Sequence, residues 1–143
     1  QGRTRDEVAA QAGEEQVRLW RRGFSAPPPP LEYDDPRHPR FDRRYHDLPP
    51  DQLPSSEALA DVLRRVVPFW IETIAPSIRS GKRVLVVSHG NALRALVKRL
   101  DGISDEGIAA VEIPTGVPIV YELDSELRPR SRRLLCGDEA ARV

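Results

Sequence analysis

Apolar residues recur along this chain in more than one rhythm, and each rhythm predicts an element. From Glu57, the residues Leu59, Val62, Leu63, Val66, Val67, Trp70 and Ile74 fall at steps of three and four. That spacing marks one stripe of a helix. Pro68 lies inside the stripe, removes a backbone donor and predicts a kink. Gly81-Lys82 is a stop signal, and Val84-Leu85-Val86-Val87 is an unbroken apolar run. Because it does not alternate, Arg83 to Ser88 reads as a strand covered on both faces. Ala92, Leu93, Leu96, Val97 and Leu100 form a second amphipathic helix, ending near Gly102. Val111–Ile113 and Pro118–Leu123 read as short strands around the Thr115-Gly116-Val117-Pro118 loop.

Upstream the pattern is weaker. Thr4-Arg5-Asp6-Glu7 has the Thr-x-x-Glu form of a capping box and opens a helix expected to run to about Trp20. Gly23 through Ser56 is rich in Pro, Asp, Arg and His, and Pro27–Pro30 is expected to be extended polyproline. A segment that long is uncommon in a compact domain and points to a functional loop, a lid over a site being one form. After Asp124, residues of about 125–143 are polar and arginine-rich and receive no predicted structure. The order helix, loop, helix, strand, helix, strand, strand predicts an α/β fold with a mostly parallel sheet. Three strands are few for such a sheet. In open sheets of this class the ligand lies beyond the strand carboxyl ends, where Ser88-His89-Gly90-Asn91 falls.

Composition narrows the function classes. The 143 residues carry 22 Lys and Arg against 22 Asp and Glu, a formal net charge of zero. That balance gives no basis for nucleic-acid or anionic-membrane binding, so any anion site is a local cluster. A single cysteine, Cys136, offers neither an internal disulfide nor a zinc cage, which fits a reducing, cytoplasmic setting. No apolar run approaches the roughly 20 residues of a spanning helix, and the first residues lack the form of a secretory signal. The sequence starts at Gln1 and contains no Met, so a longer natural protein is expected.

Candidate chemistry concentrates at His89. At a strand-to-helix turn its imidazole can serve as a base, a nucleophile or a cation that stabilises a transferring phosphoryl group. Gly90 admits close approach to the backbone, and Asn91 can cap the helix or bond a substrate. The helix start adds partial positive charge. Arg21-Arg22 supplies two guanidinium forks suited to a phosphate and a carboxylate, although cations at a helix end also have a purely local role. His38 and His46 lie in the polar loop and read as structural. Asp34, Asp35, His38 and Asp42 alternate with Arg37 and Arg40, which would compete with a metal, so no metal site is expected. Glu57 is expected as a first-turn acid of the long helix.

Several motifs together carry a family resemblance. Trp20-Arg21-Arg22 before the four prolines, Asp34-Asp35-Pro36-Arg37-His38-Pro39, Asp47-Leu48-Pro49-Pro50, Ser88-His89-Gly90-Asn91-Ala92-Leu93-Arg94 and Ile113-Pro114-Thr115-Gly116 resemble the 2,3-bisphosphoglycerate-dependent phosphoglycerate mutases. The resemblance runs from Gln1 to about Leu127. It implies the three-layer α/β/α fold of that family, within the histidine phosphatase superfamily. It also implies interconversion of 3-phosphoglycerate and 2-phosphoglycerate, a step of glycolysis and gluconeogenesis, through a phosphohistidine primed by 2,3-bisphosphoglycerate and without a metal.

By the same resemblance His89 is the transition-state stabiliser, Gly90 and Asn91 contact substrate, and Arg21 and Arg22 bind its anion. Arg5 takes the place of a substrate-binding lysine, which keeps charge but changes geometry. Gly23-Phe24 stands where the family often has Ser-Tyr, and Ser56-Glu57-Ala58 stands near a Thr-Glu-Ser pattern. The family's nucleophilic histidine, in Arg-His-Gly-Glu, and its acid/base glutamate, in Glu-Arg-His-Tyr-Gly, are not in this sequence. The expectation is therefore residues 1–143 as the C-terminal part of one mutase domain, inactive alone, with the N-terminal half elsewhere. Its partners would be small phosphoglycerates, and the oligomeric state of the intact protein stays open. A phosphatase of the superfamily and a non-catalytic anion-binding fragment are the alternatives.

Overall fold

A computed structural model describes residues 3–135. Cys136 and the end of the tail, about which the sequence raised expectations, lie outside the described residues. Thr4 starts helix α1 (Arg5–Ala12) as the capping box predicts. Its hydroxyl accepts from the Glu7 N–H at 3.3 Å, and the Glu7 carboxylate accepts from the Thr4 N–H at 2.7 Å. The expected single helix is two. Gly13 adopts φ +84°, a left-handed value that ends α1 and starts α2 (Glu14–Arg22). Gly23 then ends α2, where its missing side chain matters: a Cβ there would stand 2.5 Å from the Leu19 carbonyl oxygen.

Residues 23–56 form an irregular segment with three short 3-10 turns, Pro39–Phe41, Arg43–Tyr45 and Pro50–Gln52. The segment is tied across its own base. Leu31 N–H donates to the Ser55 carbonyl at 3.1 Å, and Ser56 Oγ bonds the Pro28 carbonyl. His38 is buried and caps the first turn, its Nδ1 accepting from Arg40 N–H at 3.2 Å. The Arg40 guanidinium lies 3.9 Å from the Tyr33 ring centre and 4.3 Å from that of Phe41, a cation–π sandwich. Asp35 pairs with Arg37 at 2.6 Å and Asp42 with Arg44 at 2.5 Å. Asp35 and Asp42 are thus engaged by arginines two residues on.

The long apolar stripe folds as α3 (Leu59–Phe69), a π turn (Trp70–Ile74) and α4 (Ala75–Arg79). Pro68 denies the helix one donor, and the turn directly after it widens. Trp70 N–H is shared between the Val66 and Val67 carbonyls. Glu57 lies outside the helix and pairs with Arg65 at 2.8 Å. The first-turn acid is Asp61, whose carboxylate accepts from the Ala58 N–H at 2.8 Å. Helix α5 (Gly90–Asp101) packs against α3 and ends at Gly102 in the left-handed conformation.

Two apolar clusters result. Leu59, Ala95 and Ile108 form one, with Phe24, Val62, Leu63, Val66, Ile103 and Val111 around them. Trp70, Ile74 and Ala75 form the other, joined by Val86, Leu96, Leu100, Leu123 and Leu127.

The sheet corrects the sequence expectation. Strand β1 (Ile119–Leu123) pairs antiparallel with β2 (Pro129–Leu134), and this hairpin is the one sheet among the described residues. Asp124 organises its turn: Oδ1 accepts from the Glu126 and Arg128 N–H groups at 2.8 and 2.9 Å, while Leu127 takes φ +64°. Arg83–Ser88 is not a strand here, nor is Val111–Ile113, and no parallel pairing forms. Among the described residues Arg83–Ser88 has no neighbouring strand. Strand geometry is held by ladder bonds to a partner, and Leu85 and Val87 stand 82 % and 84 % exposed. The architecture is α/β, with helices and a small sheet.

Two predictions follow from the core and from the loop charges. Ile108 is wholly buried, so Ile108→Ala in the full-length protein is expected to lose about 2–5 kcal/mol in urea unfolding. The bonds from Arg44, side chain first and then backbone N–H, hold the Asp42 carboxyl down at about 2. A lowered carboxyl stabilises its turn fully above its unfolded value of about 4 and loses that contribution as pH falls through the folded value. Carboxyl NMR is therefore expected to give Asp42 a midpoint near 2, and a midpoint near 4 would mean the Arg44 pair does not form in solution.

Candidate active site

The site starts from two helix ends. Helix α5 begins where His89, extended at φ −64° and ψ 147°, acts as its N-cap, with Nδ1 accepting from Asn91 N–H at 3.3 Å. The capping role considered for Asn91 thus belongs to His89, and Asn91 sits in the first turn. An Nδ1 that accepts leaves the proton of a neutral imidazole on Nε2. The exposed ring therefore presents an N–H donor outward, the polarity that suits stabilising an anion. Beside it the space is open, since a methyl group on Gly90 would meet no described atom within 4 Å.

The second end is the C-terminus of α2. Arg21 is exposed and, among the described residues, its guanidinium has no carboxylate partner. Arg22 is partly buried, with Nε donating to the Ala109 carbonyl at 3.2 Å and Nη2 meeting the exposed Glu112 carboxylate at 3.0 Å. Both cations sit at the negative end of the helix dipole.

Arg94 joins the two ends, and it is the residue the sequence reading left without a role. It is buried at 4 % exposure. One Nη donates to the Arg21 carbonyl at 3.3 Å and lies 3.4 Å from Asn91 Oδ1. The other donates to the Arg22 and Ile108 carbonyls, both at 2.8 Å. Its acceptors are neutral, and Nε is buried without a bond. Burial, and then the Arg22 charge, pull its pKa below the ordinary arginine value. A usable signal existed in the sequence: Arg94 and Lys98 stand four apart among the apolar residues of α5, and both are buried. Lys98 turns to the helix end, bonding the Ile103 carbonyl at 2.6 Å and Asp105 at 2.8 Å.

The structure thus brings the main-chain carbonyls of Arg21 and Arg22 and the side chain of Asn91 onto one guanidinium, with His89 and Gly90 adjacent to Asn91 in the chain. It does not bring Arg5 there. Arg5 is exposed at the start of α1, and among the described residues no hydrogen bond or ion pair links it to the cluster. The two helix ends carry groups of the kind that bind an anion: an outward imidazole N–H, the Arg21 and Arg22 guanidiniums and the first N–H groups of a helix.

The chain has relatives among known proteins. The chain is 50% identical over all 143 residues to a 2,3-bisphosphoglycerate-dependent phosphoglycerate mutase of Nitrosococcus oceani, and it spans 60% of that relative's length. Residues 32–129 match the histidine phosphatase superfamily (branch 1). The match across most of its length places this chain in the histidine phosphatase superfamily.

Proposed function

We propose that this chain is the C-terminal portion of a 2,3-bisphosphoglycerate-dependent phosphoglycerate mutase, a cytoplasmic enzyme of glycolysis and gluconeogenesis. The observation that carries the reading is the convergence of Arg21, Arg22 and the His89–Gly90–Asn91 helix start on one buried arginine. The 50% identity to a protein of that name supports the choice of reaction. In this reading the rest of the protein supplies the histidine that carries the phosphoryl group and the glutamate that moves the proton. It also supplies the strands that cover Val84–Val87 and complete a three-layer, mostly parallel fold.

Each residue then has a part. 2,3-Bisphosphoglycerate primes the missing histidine, and the monophosphoglycerate is phosphorylated at its free hydroxyl. Arg21 and Arg22 hold the substrate's anionic groups, Gly90 and Asn91 line its approach, and Arg5 reaches it only from a different setting of α1. His89, donating from Nε2, offsets the charge on the transferring group. Residues 23–56 act as a lid that keeps water from the phosphohistidine. A phosphatase of the same superfamily would share the phosphohistidine and differ in water access, so the products separate the two. A non-catalytic anion-binding protein would bind without turnover.

Full-length enzyme given 3-phosphoglycerate and the bisphosphate primer is expected to yield 2-phosphoglycerate. Release of inorganic phosphate in its place would make the protein a phosphatase, and binding without turnover would make it non-catalytic. His89→Ala is expected to lower kcat by about 10²–10³ with a smaller change in KM. An unchanged kcat would remove its assigned role. The Arg21→Ala/Arg22→Ala pair is expected to raise KM and lower kcat together. The 143-residue chain alone is expected to be inactive and to self-associate through Leu85 and Val87 in light scattering.

A further inference from the structure

We propose that Arg94 is a positioning residue, which sets the Arg21–Arg22 helix end against the His89 helix start and so fixes the width of the anion site. The inference rests on the anion-binding reading of that site, and deepens it by naming what holds its two halves together. The last carbonyls of any helix lack partners within it. At α2 two of them, those of Arg21 and Arg22, are taken by the two Nη atoms of one side chain 73 and 72 residues away. The Arg22 bond, at 2.8 Å, is matched by an equal one to the Ile108 carbonyl. The Arg21 bond is shared with a nitrogen 3.4 Å from Asn91 Oδ1. A planar fork with fixed donor directions transmits position in a way an ammonium does not.

Arg94 is too buried to touch a ligand, so it acts through the residues it holds. Its charge is set among carbonyl dipoles with no carboxylate bonded to it among the described residues. It therefore adds to the positive field behind Arg21 and Arg22. Helix capping alone would need only a neutral donor. The choice of a cation beside two other cations fits a site built for an anion.

The test uses the full-length enzyme and the variants Arg94→Lys and Arg94→Gln, each with and without Arg21→Ala. Affinity for 3-phosphoglycerate and for inorganic phosphate is read by calorimetry, KM and kcat by turnover, and folding by thermal melting. Arg94→Lys is expected to fold and to weaken 3-phosphoglycerate binding by about tenfold, since small misplacements of a site are costly. KM is expected to rise more than kcat falls. Arg94→Gln, which keeps a neutral fork but no charge, is expected to weaken binding further. With Arg21→Ala in place the Arg94 effect is expected to shrink, because residues that act through one another are not additive.

Unchanged affinity in Arg94→Lys and Arg94→Gln, or losses that multiply independently with that of Arg21→Ala, would overturn the proposal. So would failure of both variants to fold, which would make Arg94 a purely structural residue. Wild-type enzyme that binds phosphate but not 3-phosphoglycerate would refute the mutase reading alone, and the phosphate affinities would still decide the role of Arg94.

Discussion

A single buried guanidinium holds this structure's candidate site together. Arg94 grows from α5, yet its bonds go to the end of α2 and to the turn at Ile108. Removing a buried charge from water costs several kcal/mol per ion, so such a group persists only where well-placed acceptors offset the cost. Here the acceptors are backbone carbonyls, and those of Arg21 and Arg22 have no partner within their own helix. The dependence is mutual: without the arginine the end of α2 is unsatisfied, and without the carbonyls the arginine is. The end of α2 is not placed by apolar packing alone, since that helix buries only Val17 among its nine residues.

Around that joint the apolar stripe of residues 59–78 does the rest. Its first half builds the cluster of Leu59, Ala95 and Ile108, directly under the site. After Pro68 the π turn continues the backbone with a changed twist, and Trp70 and Ile74 build the second cluster, onto which the hairpin's Leu123 and Leu127 dock. The site therefore rests on the first cluster, and the hairpin on the second. Lys98 and the left-handed Gly102 close the far end of α5, so that helix is fastened at both ends.

What was legible in the sequence was local. The Thr4 capping box, the Gly102 stop and the helical stripes depend on residues within a few positions of each other, and each formed. What was not legible depends on partners. Arg83–Ser88 has the composition of a buried strand, but a strand is a property of a pair. β2 was missed for the opposite reason: Pro129-Arg130-Ser131-Arg132-Arg133 has no apolar alternation, and ladder bonds to β1 with the Arg132–Asp101 contact at 2.5 Å hold it. In the site, His89, Gly90 and Asn91 were visible at an expected strand-to-helix turn, of which only the helix start forms. Arg21 and Arg22 took their meaning from family likeness, because the carbonyls that Arg94 binds carry no side-chain signature.

Glu112 gives Arg22 a counter-ion of its own. It is exposed and holds Arg22 at 3.0 Å, whereas Arg21 carries no such carboxylate among the described residues. On the proposed reading, an arriving dianion meets one arginine already paired and one that is not. Capture at Arg22 is an exchange, like the displacement of a resident ion from a resin, and its Coulomb gain is only the difference between two anions. Capture at Arg21 is an addition. The two neighbouring cations are therefore unequal: Arg22 already shares its charge with an exposed carboxylate, and Arg21, among the described residues, does not.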